Sequence, residues 1–216
     1  MEEARLTELR GIIPHDVTLV AVSKFHPAEA IRAAYNAGQR VFGESRADEL
    51  AAKAAALPDD ICWHFIGHVQ TNKLRRILPH VTMIQSVDSE RLLRLIDAEA
   101  EKMGLSTKVL LQVHVAAEET KTGFSPEELT EVARRCAPEL RAATIEGVMG
   151  MATNTVDTDR IRADFQAIAR TGQRLREIVP SATVLSMGMS GDWQMAVECG
   201  SNMVRIGSDI FGPREY

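Results

Sequence analysis

Apolar and polar positions along the chain alternate between a period of two and a helical period, and each change of period marks an element. Residues 2–10 have the spacing of a short amphipathic helix. Residues 17–24 (VTLVAVSK) then read as a strand, with Thr18, Val20, Val22 and Lys24 on one face, so a lysine continues a row that otherwise looks buried. His26-Pro27 breaks the strand, and 28–37 reads as a helix stopped by Gly38. Strand 39–43 is followed by an alanine-rich helix over 45–57 that Pro58 ends. Strand 61–67, a short helix over 71–78 ended by Pro79, and strand 81–87 come next. Asp88 or Ser89 caps a helix whose Leu92, Leu93, Ile96, Ala100 and Met103 share one face. Strand 107–115 carries Val109, Leu111, Val113 and Val115 on one side, and Ser125-Pro126-Glu127-Glu128 is a capping box with proline at the first helical position. Strand 144–151, a long helix over 157–179, strand 182–187, a short helix over 192–199, strand 202–206 and a helical turn from Ser208 complete the series.

Eight strands alternating with helices, without a linker or a break in composition, predict a single α/β domain over 1–216 closed as a (β/α)8 TIM barrel. The other arrangement is an open doubly wound sheet, but the glycine-rich phosphate turn that commonly follows its first strand is not in the sequence. A hydrophobic content of 45% with 25% charged residues fits one soluble globular domain. The net charge of -5, without a basic run, argues against non-specific nucleic-acid binding. No apolar stretch approaches the roughly 18 residues of a membrane span, and the acidic N-terminus is unlike a signal peptide. Three cysteines, Cys62, Cys136 and Cys199, show neither paired metal spacing nor a disulfide framework, which fits a reducing cytoplasm.

In such a barrel the chemistry lies at the carboxyl ends of the strands. The first end offers Lys24; from that stretch alone it reads as a solvated strand-end lysine. The seventh end offers Ser186, Gly188 and Ser190, and the eighth Arg205-Ile206-Gly207-Ser208. Barrels often hold a phosphate with these two loops and the start of a short extra helix. Closure sets strand eight beside strand one, so Lys24 would face that phosphate cradle, a constellation suited to holding a phosphorylated aldehyde as a Schiff base. Trp63 and His64 read as core, Lys121 as a solvated loop lysine, and Met149, Met151, Met187 and Met189 as packing at the barrel mouth. His68 follows the third strand at its carboxyl end, where it reads more readily as a bystander than as a ligand contact.

The segments LVAVSK (19–24), FGES (42–45), WHFIGHVQTNK (63–73), KTGF (121–124), LSMGMSGDWQMAV (185–197) and MVRIGSDIFGPREY (203–216) occur in one order along nearly the whole chain. In them the sequence resembles the pyridoxal phosphate homeostasis protein family, single-domain relatives of the alanine racemase barrel among fold type III proteins. The resemblance implies pyridoxal 5'-phosphate (PLP) as cofactor, in Schiff base linkage to Lys24. It implies Ser186, Gly207 and Ser208 on the phosphate and Arg205 facing the pyridine nitrogen. Two departures stand out: Ser45 where the family has asparagine, and a short leading helix. The implied function is intracellular PLP homeostasis in the cytoplasm, by buffering the cofactor or delivering it to apo PLP-dependent enzymes, in a barrel that permits a monomer. The alternatives are a PLP-dependent racemase or decarboxylase, and a barrel for some other phosphorylated metabolite. Racemisation by the enzyme relatives needs a second base, commonly a tyrosine from another domain, and this chain has only Tyr35 and Tyr216. An arginine at the ring nitrogen would also weaken the electron sink, which alone does not exclude racemisation, since the resemblance implies the same arrangement in the racemase relatives.

Overall fold

The computed structural model describes residues 2–118, 120 and 122–212. Eight parallel strands form a closed barrel in sequence order, β1 Thr18–Val22, β2 Val41–Glu44, β3 Cys62–Phe65, β4 Val81–Val87, β5 Thr107–Val113, β6 Ala143–Gly150, β7 Val184–Ser186 and β8 Met203–Ile206. The helices α1 Glu2–Ile12, α2 Ala28–Asn36, α3 Ala47–Ala56, α4 Leu74–Ile77, α5 Glu90–Lys102, α6 Pro126–Cys136, α7 Thr158–Ile178, α8 Trp193–Glu198 and α9 Ser208–Phe211 surround them. This is the predicted (β/α)8 TIM barrel. Closure is made by β1 and β8, in register Thr18↔Met203, Val20↔Arg205 and Ala21↔Ile206.

Two apolar layers follow from the alternation of side chains along each strand. Val20, Met83, Leu110, Met149 and Met203 fill the barrel, whereas Leu19, Ala21, Phe42, Phe65, Ile84, Leu111 and Val148 point outward into the larger shell under the helices. On α5 the predicted face of Leu92, Leu93, Ile96 and Ala100 is buried, and Ser89 accepts a hydrogen bond from the Leu92 amide. The capping box of α6 is complete, with Ser125 and Glu128 bonded reciprocally. Burying each such leucine or isoleucine contributes about 1.5–3 kcal/mol, more than helical propensity alone supplies. Gly172 lets α7 lie against the barrel, since a Cβ there would sit 2.6 Å from Leu185 Cδ1.

Some boundaries differ from expectation for identifiable reasons. The segment 71–78 begins as a 3-10 turn, Thr71–Lys73, before α4. β1 ends at Val22, so Lys24 stands in the turn that follows and not in the strand itself. Met149 lies inside the barrel and Met187 in the outer shell, both buried, so of the methionines assigned to the barrel mouth only Met151 and Met189 reach it. Trp63 and His64 are core residues as expected, Trp63 packing on Phe42 outside and His64 pointing in.

Candidate functional site

At the carboxyl ends of the strands a cavity of about 290 Å³ opens beside the β1–β8 seam. Lys24, Arg205, Gly207 and Ser208 all line it, together with Val22, Met151, Met189, Ser190 and Gly191. The register Val20↔Arg205 explains the meeting of residues 24 and 205: β1 and β8 run side by side, and the chain beyond Val22 bends over the end of β8. Gly207 packs closely there: a Cβ would lie 3.2 Å from the Val22 carbonyl oxygen and 3.3 Å from Val22 Cβ, tight enough that Val22 would have to yield by a few tenths of an ångström. Gly207 leads into α9, whose opening amides have no partner within the helix, as at any helix start. The rim is further shaped by His26, whose ring stacks on Phe211 of α9 at 5.0 Å between centroids. Gly188 turns the preceding loop at φ 97°, a region unfavourable to side chains, and a Cβ there would meet Ala196 Cβ at 2.6 Å.

Arg205 is 5% exposed and is held from below. It donates to the Ser186 carbonyl (2.8 Å), to Ser186 Oγ (2.6 Å) and to the Gly150 carbonyl (3.0 Å). Burial pulls its pKa from 12.5 down to about 10, with Asp192 acting in the opposite direction, so it remains a cation at neutral pH. Ser186 is fully buried and does not line the cavity. Its one proton goes to Gln85 Oε1 at 2.7 Å, which leaves none for an anion. In this structure Ser186 lies beneath Arg205 and orients it, and Ser190, four residues on, is the serine of that loop that lines the cavity.

The relay continues inward. Gln85 Oε1 accepts from Ser186, so its amide nitrogen faces His64 Nδ1 at 2.8 Å and requires that nitrogen to be unprotonated. Burial first, and Lys108 second, lower the His64 pKa from 6.5 to about 4. The unfolded chain thus binds the His64 proton below pH 6.5 while the folded chain refuses it until about pH 4, so stability falls as pH falls through that window. The expected loss at pH 4 is about 3 kcal/mol, read as a difference in urea midpoints between pH 7 and pH 4 that His64→Gln removes.

The remaining candidates fall elsewhere. His68 is well exposed, 3.6 Å from Asp88, and lines peripheral grooves instead of the Lys24 cavity. Ser45 borders one of those grooves and packs on Gly67, where a Cβ would lie 2.3 Å from the Ser45 carbonyl oxygen. Tyr35 donates to Asp60 at 2.7 Å on the outer face of the barrel. Lys121 and Tyr216 lie outside the described residues. A cavity of about 450 Å³ borders the start of β1 and β2, but the Arg10 guanidinium beside it is bonded to the carbonyls of Ala37 and Gly38 and to Gln39. We regard it as a crevice beneath α1. Among the described residues no group of His, Cys, Asp or Glu could hold a metal, and no helix is long and apolar enough to cross a membrane. Of the other cavity residues, the sequence marks His26 only as the break after the first strand, while Ile66 and Gly191 lie inside segments of the resemblance without being singled out, since neither has a side chain whose chemistry marks it.

The family model of the alanine racemase N-terminal domain matches residues 3–215. A pyridoxal phosphate homeostasis protein of Schizosaccharomyces pombe is 38% identical over 203 residues, which cover 92% of this chain and 85% of the relative. The structure of PipY from Synechococcus elongatus PCC7942 with PLP bound superposes with a TM-score of 0.91 at 39% identity, over 98% of this chain and all of that one. Alanine racemase of E. faecalis shares the fold alone, with a TM-score of 0.73 at 18% identity. With nearly its whole length matched in both sequence and fold, the chain belongs to the pyridoxal phosphate homeostasis protein family, built on the barrel of the alanine racemase N-terminal domain.

Proposed function

We propose that this protein binds PLP as a Schiff base on Lys24 and serves intracellular PLP homeostasis, buffering the cofactor or delivering it to apo enzymes, without robust catalysis. One observation carries the reading: a single cavity is lined by two cationic side chains, Lys24 and Arg205, with the hydroxyls of Ser190 and Ser208, and no carboxylate is among the described residues that line it. That donor set suits an anion joined to an electrophile. The relatives named for PLP homeostasis and the PLP-bound PipY structure support the same ligand.

PLP supplies an aldehyde, a phosphate and a pyridine ring. Lys24 Nζ would bond to the aldehyde carbon, and the aldehyde oxygen would leave as water. Gly207, Ser208, Ser190 and Gly191 would receive the phosphate, the glycines because a backbone without Cβ can approach it closely. Arg205, a donor without lone pairs, would face the ring nitrogen and keep it unprotonated.

The purified protein is expected to be yellow, and borohydride is expected to bleach it while fixing the cofactor to Lys24, as peptide mass mapping would read. Pyridoxal, which lacks the phosphate, should bind roughly ten- to a hundredfold more weakly, the equivalent of one lost charge-assisted hydrogen bond or slightly more. An adduct on a different lysine, or equal binding of pyridoxal and its phosphate, would overturn the assignment.

A further inference from the structure

Behind the Lys24 turn lies a buried ion cluster that cofactor binding does not account for. Glu44, fully buried at the end of β2, places Oε1 2.7 Å from Lys53 Nζ and 2.6 Å from Ser23 Oγ. Glu49, one helical turn before Lys53 on α3, places Oε1 2.6 Å from the same ammonium. Lys53 is 7% exposed, and Glu44 Oε2 has no hydrogen-bond partner among the described residues. Burial raises the pKa of Glu44, and Lys53 opposes that shift.

The cluster reaches both peptide groups that flank the Lys24 Cα. Lys53 Nζ donates to the Ser23 carbonyl at 2.8 Å, on the peptide that precedes Lys24. Glu49 Oε1 accepts from the Phe25 amide at 2.7 Å, on the peptide that follows it. Between these ties the turn adopts a conformation that the local sequence does not favour: Phe25 has φ 68°, the left-handed region that bulky residues avoid, and it is the one described non-glycine residue with positive φ. A strained residue persists where its surroundings over-determine it. Burying an ion pair such as Glu44 and Lys53 is in general a poor way to gain stability, because desolvation offsets the attraction. Directional contacts on two consecutive peptides explain the cluster better.

We propose that Glu44, Glu49 and Lys53 are positioning residues: they fix the backbone on both sides of Lys24 and so aim its amine into the cavity. The functional part of this inference rests on Lys24 being the residue that bears the cofactor; the backbone part does not. Glu49 is the residue to vary first, since its side chain is 21% exposed and Lys53 keeps Glu44 as a partner when it is removed.

The test uses Glu49→Ala, Glu49→Gln and Lys53→Met in the full chain. In cofactor-free protein, hydrogen exchange of the peptide covering 22–28 should accelerate about tenfold in Glu49→Ala, the loss of one charge-assisted hydrogen bond. On addition of PLP, growth of the adduct absorbance should slow by a similar factor. The thermal midpoint should move by no more than about 3 °C, which separates aiming from general destabilisation. Glu49→Gln retains an oxygen acceptor for the Phe25 amide and should recover most of the rate. Lys53→Met, checked for folding by circular dichroism, should slow adduct growth further. Unchanged exchange and adduct growth in Glu49→Ala would overturn the proposal, as would a rate loss that Glu49→Gln fails to recover or that merely follows the thermal midpoint. If the parent protein forms no adduct at Lys24, the cofactor reading fails, and the exchange measurement still decides whether the cluster holds the turn.

Discussion

Arg205→Met is expected to reduce the free energy of unfolding by about 2–4 kcal/mol and to weaken PLP binding at least about tenfold. The guanidinium has three buried acceptors beneath it: the carbonyls of Ser186 and Gly150, and Ser186 Oγ. Methionine fills a similar length but donates to none of them, and a buried acceptor left without a donor costs about 1–3 kcal/mol. Part of that loss is offset because a desolvated cation, its pKa depressed to about 10, is removed at the same time. The affinity loss has a separate origin, the removal of one of two cations from a cavity without carboxylates among its described lining. Arg205→Lys should fall between parent and Met variant in stability, since an ammonium has three donors but not the planar fork. Urea titrations of the three cofactor-free proteins measure the first effect, and PLP titrations the second. If Arg205→Met were as stable as the parent, the hydrogen bonds to Ser186 and Gly150 would not have the role assigned to them.

The second large expected effect is an absence of turnover. Incubated with alanine and other amino acids in deuterated water, the PLP-loaded protein should change its absorbance slowly. It should not exchange the α-hydrogen or invert the centre at the roughly 1 s⁻¹ or more of an ordinary enzyme. Inversion requires one group to remove the α-proton on one face and another to return it on the opposite face. Lys24 is suited to one of these tasks. Tyr35, the one tyrosine among the described residues, is bonded to Asp60 on the outer surface, and none of the three cysteines lines the cavity. His26 belongs to the Lys24 turn itself, with its ring packed on Phe211. Arg205, facing the ring nitrogen as proposed, would keep that nitrogen unprotonated and withhold the strongest electron sink, but the missing second base is what decides against inversion. NMR and chiral chromatography provide the readout. Rapid deuterium incorporation with inversion, lost in Lys24→Ala, would restore the racemase alternative.

By itself, the sequence determined the fold and the approximate position of the site. Period and punctuation are local properties, so β4 was delimited at 81–87, the α5 face and the Ser125 capping box were readable, and eight βα units implied closure. Closure in turn implied that the ends of β1 and β8 meet, which is why Lys24, Arg205, Gly207 and Ser208 were expected together, and all four line one cavity. What only the tertiary structure decided depends on groups far apart in the chain. Ser186 and Ser190 are equivalent to a local reading, and the difference between them is that Arg205, packed from β8, donates to the Ser186 hydroxyl while Gln85, from β4, takes its one proton. The same holds at Lys24. Strand propensity extends through residue 24, but the ladder ends with the Ser23 amide on the Gly43 carbonyl, and beyond it Lys53 and Glu49 of α3 bond to the peptides on either side of the lysine while the His26 amide donates to the Ser23 carbonyl. In the sequence Lys53 is a lysine in an alanine-rich helix and Glu44 an acid after a short apolar run. Their burial, and with it the aim of the Lys24 turn, exists only once β2 and α3 have packed, because a buried charge has its partner specified by three-dimensional proximity and not by spacing along the chain.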